Sequence, residues 1–164
     1  MTGDLDQTDR NHLRRAVDLA RAALDSGDEP FGSLLVSAAG EVLFEDHNHV
    51  VATGDATRHP ELATAWWAAA NLDPPDRAVA TVYTSNEHCP MCAAAHAWVG
   101  LGRVVLAASA SQLTGWLTEA GIPPAAVSPL PISAVSPGVV TVGPDPELAE
   151  EVRRLQLAFQ SRPT

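Results

Sequence analysis

The sequence contains no lysine, so all ten basic side chains are arginines, set against twenty acids for a net charge of −10. Without lysine, Schiff-base chemistry and phosphate-loop lysines are excluded. The excess of acid repels a polyanion unless a basic patch is gathered on one face, so long nucleic acid is a disfavoured partner. Only two cysteines occur, Cys89 and Cys92. They are too few and too local for the disulfide framework of a small secreted domain, and read instead as thiols with a chemical task. No apolar run reaches membrane-spanning length before a Gly, Pro, Ser or Arg interrupts it. The first fifteen residues carry Asp4, Asp6 and Asp9 and lack a basic-then-apolar leader plan. The expectation is a cytoplasmic protein, not embedded in a membrane.

What is present is ordinary globular composition, 46% hydrophobic and 18% charged over 164 residues. Such a length is predicted to form a single domain over 1–164, burying roughly 70% of its unfolded surface. No internal repeat interrupts it. Leu13, Val17, Ala20 and Leu24 fall at three-and-four spacing within Asp9–Ser26 and stop at Gly27, which predicts an amphipathic helix. Short Leu-, Val- and Phe-rich runs at 33–37 and 41–45, separated by Ala38-Ala39-Gly40, predict a hairpin. A polar loop at 46–58 follows. Helices are expected over Pro60–Asn71, Pro90–Gly100, Ser111–Ala120 and Pro146–Gln160, several opened by a proline at the first turn. Strands are expected at 79–84, 103–107 and, within the proline-punctuated stretch 121–143, at 132–135. Helices alternating with strands imply an α/β architecture with some parallel pairing, and the opening hairpin makes the sheet mixed.

The chemistry is concentrated in His59-Pro60-Glu61 and Cys89-Pro90-Met91-Cys92, each at a predicted helix start. One His and two Cys suit a catalytic zinc site, which needs three protein ligands and an open fourth position, and no other cysteine is there to close it. The positive ends of two helix dipoles would help keep the sulfurs ionised. Glu61 is the candidate base. Two residues beyond His59 on a regular helix would turn it about 200° away, so first-turn geometry has to bring both groups to one point.

These residues resemble the H-x-E and P-C-x-x-C signature of the zinc nucleobase and nucleoside deaminases. Pro30-Phe31-Gly32-Ser33, Asn48, Tyr83-Thr84-Ser85 and the segment Trp98 to Val105 are similar to further family segments, so the likeness runs from about Leu13 to Ala107. It is closest to the guanine and cytosine deaminases and the tRNA adenosine deaminases. The resemblance implies a cytidine deaminase-like fold, a three-layer α/β/α sandwich around a five-stranded mixed sheet, and a homodimer. It implies Zn2+ held by His59, Cys89 and Cys92, a zinc-bound hydroxide as nucleophile, and Glu61 as proton shuttle. Asn48 and Phe31 are implied substrate contacts. Two positions depart from the family: His88 stands where a proline is usual, and Pro60 replaces an alanine, removing an amide that relatives can offer to substrate.

His88 and Glu87 flank the metal loop and are candidates for gripping a substrate edge, the alternative being a solvated turn. His47 and His49 read as solvated neighbours of Asn48 rather than as ligands. One of Trp66 and Trp67, about 100° apart on a helix, is expected to pack inward. Phe159 is a candidate core residue, with a lid role for the C-terminal segment as the alternative. The functional expectation is hydrolytic deamination of a small aminated heterocycle, a nucleobase or nucleoside, with release of ammonia. The competing readings are tRNA adenosine deamination, which needs a basic surface, and a non-catalytic zinc module, for which a retained Glu61 would have no use.

Overall fold

The computed structural model describes residues 4–163. The first helix, α1 (Gln7–Ser26), begins two residues before the expected Asp9. Asp6 explains the early start, because its side chain accepts from the Asp9 amide while the Asp9 carboxylate reaches back to the Asp6 amide. That reciprocal cap satisfies amides with no intrahelical partner. Gly27 ends the helix with φ of 95°, a left-handed conformation that costs glycine little. The buried stripe Leu13, Ala16, Val17, Ala20, Ala23 and Leu24 follows the predicted spacing.

The hairpin forms as β1 (Gly32–Val36) and β2 (Val42–His47), antiparallel with Gly32 opposite His47. Gly32 has a packing reason: a β-carbon there would collide with the Ala16 carbonyl and the Leu19 side chain of α1. The expected loop at 46–58 is not structureless, since α2 (Val50–Thr53) makes a single turn within it. Then come α3 (Pro60–Asn71), α4 (Pro74–Val79) and β3 (Thr81–Asn86). The helix α4 was not expected, and it takes Val79 out of the predicted strand. Pro74 and Pro75 supply a ready-made first turn. Arg77 then donates to the Leu72, Ala69 and Val99 carbonyls, serving the chain just past the end of α3 and the last residue of the next helix.

Next are α5 (Pro90–Val99), β4 (Val104–Ala108) and α6 (Ala110–Glu119). A second expectation fails downstream, where 132–135 forms a helical turn, α7 (Ile132–Val135), and the strand is β5 (Thr141–Val142). Pro131 starts that turn, and the Ile132 amide finds a carboxylate rather than a neighbouring strand. The β-branched run Val139 to Val142 is what reaches the sheet edge instead. The terminal helix α8 (Pro146–Gln160) lies as expected.

The five strands order as β2-β1-β3-β4-β5 in one sheet, antiparallel at β2/β1/β3 and parallel at β3/β4/β5. Side chains alternate between its two faces. Leu34, Val36, Tyr83 and Val105 join the core under α1 and α8, while Leu35 and Val82 join the one that includes Ala65 and Ala68 of α3. Both faces are therefore covered, which is why β1 and β4 are buried along their whole length. This is a mixed five-stranded α/β sandwich, as expected. Trp67 packs inward, its ring centroid 5.7 Å from that of Phe44, while Trp66 is exposed. Phe159 packs against the α1/α8 core.

Candidate metal centre and catalytic pocket

The two motifs meet where α3 and α5 begin. His59 and Cys89 are the N-cap residues of these helices, each with extended backbone and each followed by a proline in the first turn. This resolves the angular difficulty of His-x-Glu: His59 is not yet helical, so its side chain does not obey the 100° step that would turn it away from Glu61. His59 Nδ1 lies 3.6 Å from both Cys89 Sγ and Cys92 Sγ, and the two sulfurs are 3.5 Å apart. These three side chains are positioned to hold a metal ion. Tetrahedral zinc bonds of about 2.3 Å to sulfur and about 2.0–2.1 Å to nitrogen set such donors about 3.5–3.8 Å apart. The triangle fits zinc.

Electrostatics agree with that use. The shared hydrogen bond with Cys92, helped by one from His59, pulls the Cys89 thiol down to about 4. The same shared bond, together with burial, pushes Cys92 up. His59 is raised, first by its bond to Cys89. Glu61 is 6% exposed, and burial pushes its carboxyl up to about 7, with His59 opposing. Its Oε1 is 3.2 Å from Thr84 Oγ1, which is also 2.8 Å from the Asn86 carbonyl and accepts from Ser33 Oγ at 2.9 Å. Thr84 has one proton for two acceptors. A carboxyl near neutrality can supply the second.

Of the remaining candidates, Asn48 is buried, its Oδ1 accepting from the Val50 amide at 2.8 Å and its Nδ2 3.5 Å from Glu29 Oε2. Phe31 accepts the Asn48 amide at its carbonyl and is half-buried. Pro60 is buried at the first position of α3. Glu87 is half-buried, and its two oxygens accept from the amides of Ala110 and Ile132, each at 2.8 Å. His88 is 1% exposed, neither ring nitrogen is hydrogen-bonded or open to solvent, and the ring packs edge-on against His96 at 5.3 Å. Both Glu87 oxygens are thus committed to amides, and the His88 ring is enclosed.

Three residues of the pocket wall escaped the sequence reading. Glu29, which senses His59 and is raised by burial, holds Asn48. The acid directly before Pro30-Phe31-Gly32 was the available signal. Thr84 lay inside a quoted strand segment, but its bond to Glu61 depends on which way that strand faces. Gln156 of α8 donates to the Pro30 carbonyl at 3.0 Å and approaches Asn86 Oδ1 at 3.4 Å, tying the last helix to the pocket wall. Nothing local marked it.

Residues 6–108 match the sequence model of the cytidine and deoxycytidylate deaminase zinc-binding region. The chain belongs to the cytidine and deoxycytidylate deaminase family. It is 31% identical over 143 residues to a probable cytosine deaminase of Schizosaccharomyces pombe, covering 86% of each chain. It is 32% identical over 101 residues to a tRNA-specific adenosine deaminase of Haemophilus influenzae, covering 62% of this chain and 58% of that one. The structure described as guanine deaminase from Nitrosomonas europaea superposes with a TM-score of 0.72 at 18% identity, covering 99% of this chain and 89% of that one. That likeness establishes the fold. The family membership and the donor triangle make this deaminase a zinc-binding hydrolase.

Proposed function

We propose that this deaminase removes an exocyclic amine from a small free nucleobase or nucleoside, with His59, Cys89 and Cys92 as zinc ligands and Glu61 as the proton carrier. The observation that carries the reading is the zinc-sized donor triangle beside a buried carboxyl whose titration range is near neutrality. Zinc, when bound, supplies a Lewis acid that makes water a nucleophile at neutral pH. Glu61 does the rest of the proton work. Replacing an amine by a carbonyl oxygen moves both protons of the attacking water, the first to the ring nitrogen and the second to the departing ammonia. A carboxyl poised near neutrality can both accept and donate.

Substrate orientation falls to neighbouring groups. Asn48, held by Val50 and Glu29, offers an amide donor to a ring carbonyl, and Phe31 offers a flat apolar wall. Pro60 offers no amide, so a donor used elsewhere in the family is missing here. Glu87 and His88 shape the metal loop from behind.

A small substrate is favoured over tRNA by the state of the arginines. Arg10, Arg14, Arg15, Arg21, Arg103, Arg153 and Arg154 all face carboxylates, so seven of the ten are already paired. Few cations are left to neutralise phosphates. A homodimer belongs to the same proposal: Trp98 is 88% exposed on α5 beside the half-buried Val135 and Val139, a surface suited to a second copy. The test is ammonia release from a panel of aminated purines, pyrimidines and triazines, with a tRNA substrate alongside. Turnover of a free base or nucleoside with tRNA inert is expected, and turnover of tRNA alone would overturn the substrate class.

A further inference from the structure

Away from the Cys89 centre, a second group of metal-ligating side chains converges among the described residues. Asp28, His47 and His49 each offer one donor atom, and these lie within 4.8 Å of one another. The chain path explains why. His47 and His49 are two residues apart where β2 ends and α2 begins, which sets their rings on one side, 4.4 Å apart by centroid. Pairing of His47 with Gly32 brings that corner to the start of β1, and Asp28 lies in the short turn leading there.

The hydrogen bonds around this trio leave one ring nitrogen of each histidine free. His47 Nδ1 is 2.9 Å from the Asn48 carbonyl, which can only accept, so that nitrogen carries the proton and Nε2 keeps its lone pair. His49 Nε2 is 2.8 Å from Asp46 Oδ1, which likewise leaves the Nδ1 lone pair free. A carbonyl or carboxylate behind each imidazole, fixing its tautomer, is the usual support of a metal-ligating histidine. Asp28 is 1% exposed, and its Oδ1 accepts from the Ala52 amide at 2.9 Å. Its carboxylate forms no ion pair among the described residues. A carboxyl group so enclosed, with no ion-pair partner, is a donor suited to a cation.

We propose that Asp28, His47 and His49 form a second metal site, selective for a divalent transition ion such as zinc, nickel or copper. Two imidazoles and one carboxylate favour these over magnesium or calcium, which prefer all-oxygen shells. Bonds of about 2.0–2.2 Å bring donors to roughly 3.3–3.5 Å from one another, so the trio closes by no more than about 1.5 Å. Side-chain rotation of the two partly exposed histidines suffices. A bound ion would lock the corner carrying Asn48 against the turn carrying Glu29.

Titration of the full chain with cobalt(II) separates the two sites, because a thiolate-bearing centre gives a sulfur-to-cobalt charge-transfer band and a site of two imidazoles and one carboxylate does not. Two equivalents are expected, only one with the band. His47→Ala, His49→Ala and Asp28→Asn should each weaken the bandless equivalent at least tenfold and keep the band. Cys89→Ser with Cys92→Ser should abolish the band and keep the bandless equivalent, so a wrong thiolate assignment fails separately. Asp28 is buried and its variant can misfold, so the histidine variants, checked by circular dichroism, decide the outcome. A single equivalent in the unmodified chain, or a bandless equivalent unchanged in both histidine variants, overturns the proposal.

Discussion

Glu61 shows how one residue's chemistry follows from where the backbone puts it. Two positions from His59 is the wrong spacing on a helix, yet His59 caps α3 without joining it, and the carboxyl is buried against Thr84. Burial raises its titration range, and that range suits a group that must take and return a proton. Glu61→Gln keeps the shape and removes the proton carrier. Zinc content should be unchanged while kcat falls roughly 100- to 10,000-fold, as read by ammonia release beside metal analysis. Cys89→Ala should behave in the opposite order and lose the zinc itself, measured as moles of metal per chain; full retention would remove Cys89 from the ligand set.

At the scale of elements, Glu87 ties its loop to two of them. One carboxylate oxygen receives the first amide of α6 and the other the first amide of α7, so the loop before Cys89 is anchored to two helix starts. The amides at helix N-termini have no intrahelical acceptor, which is why a carboxylate is so well used there. Glu87→Gln replaces one acceptor with an amino group facing an amide. The cost should be about 1–3 kcal/mol, seen as a Tm lower by about 2–12 °C at roughly 2–4 °C per kcal/mol. Zinc stoichiometry should stay at the unmodified value. Gly32→Ala tests the α1–β1 contact in the same way: the added methyl meets the Ala16 carbonyl, which is backbone and cannot swing aside, so a large loss of stability is expected in a chemical denaturation curve.

For the whole molecule, the proposed metal centre couples α3 and α5, which pack against each other. Zinc that binds the folded chain alone stabilises it by mass action, about 4 kcal/mol when free metal is a thousand times its dissociation constant. Stripping zinc with a chelator should therefore lower Tm by about 8–16 °C, reversibly on zinc addition; a Tm indifferent to chelation would mean that the triangle holds no metal. The exposed Trp98 gives the second test at this scale. Trp98→Glu places a charge on the proposed contact between copies, and light scattering should report a dimer for the unmodified chain and a monomer for the variant.

The motifs His59-Pro60-Glu61 and Cys89-Pro90-Met91-Cys92 were legible as a zinc set because metal chemistry restricts residue type. The helices α1, α3, α5 and α8 were legible because their apolar spacing or their opening prolines are local signals. Local sequence could not place β5, since 132–135 and 139–142 are both short and apolar, and only the acceptor offered by Glu87 and the free edge of β4 decide which one enters the sheet. The same limit applied to Glu87, His88, Gln156 and the corner formed by Asp28, His47 and His49. A side chain's type is written in the sequence, but its partners are set by distant segments packing together, and the tertiary structure alone determined whether each of these meets an amide, the core or other donor side chains.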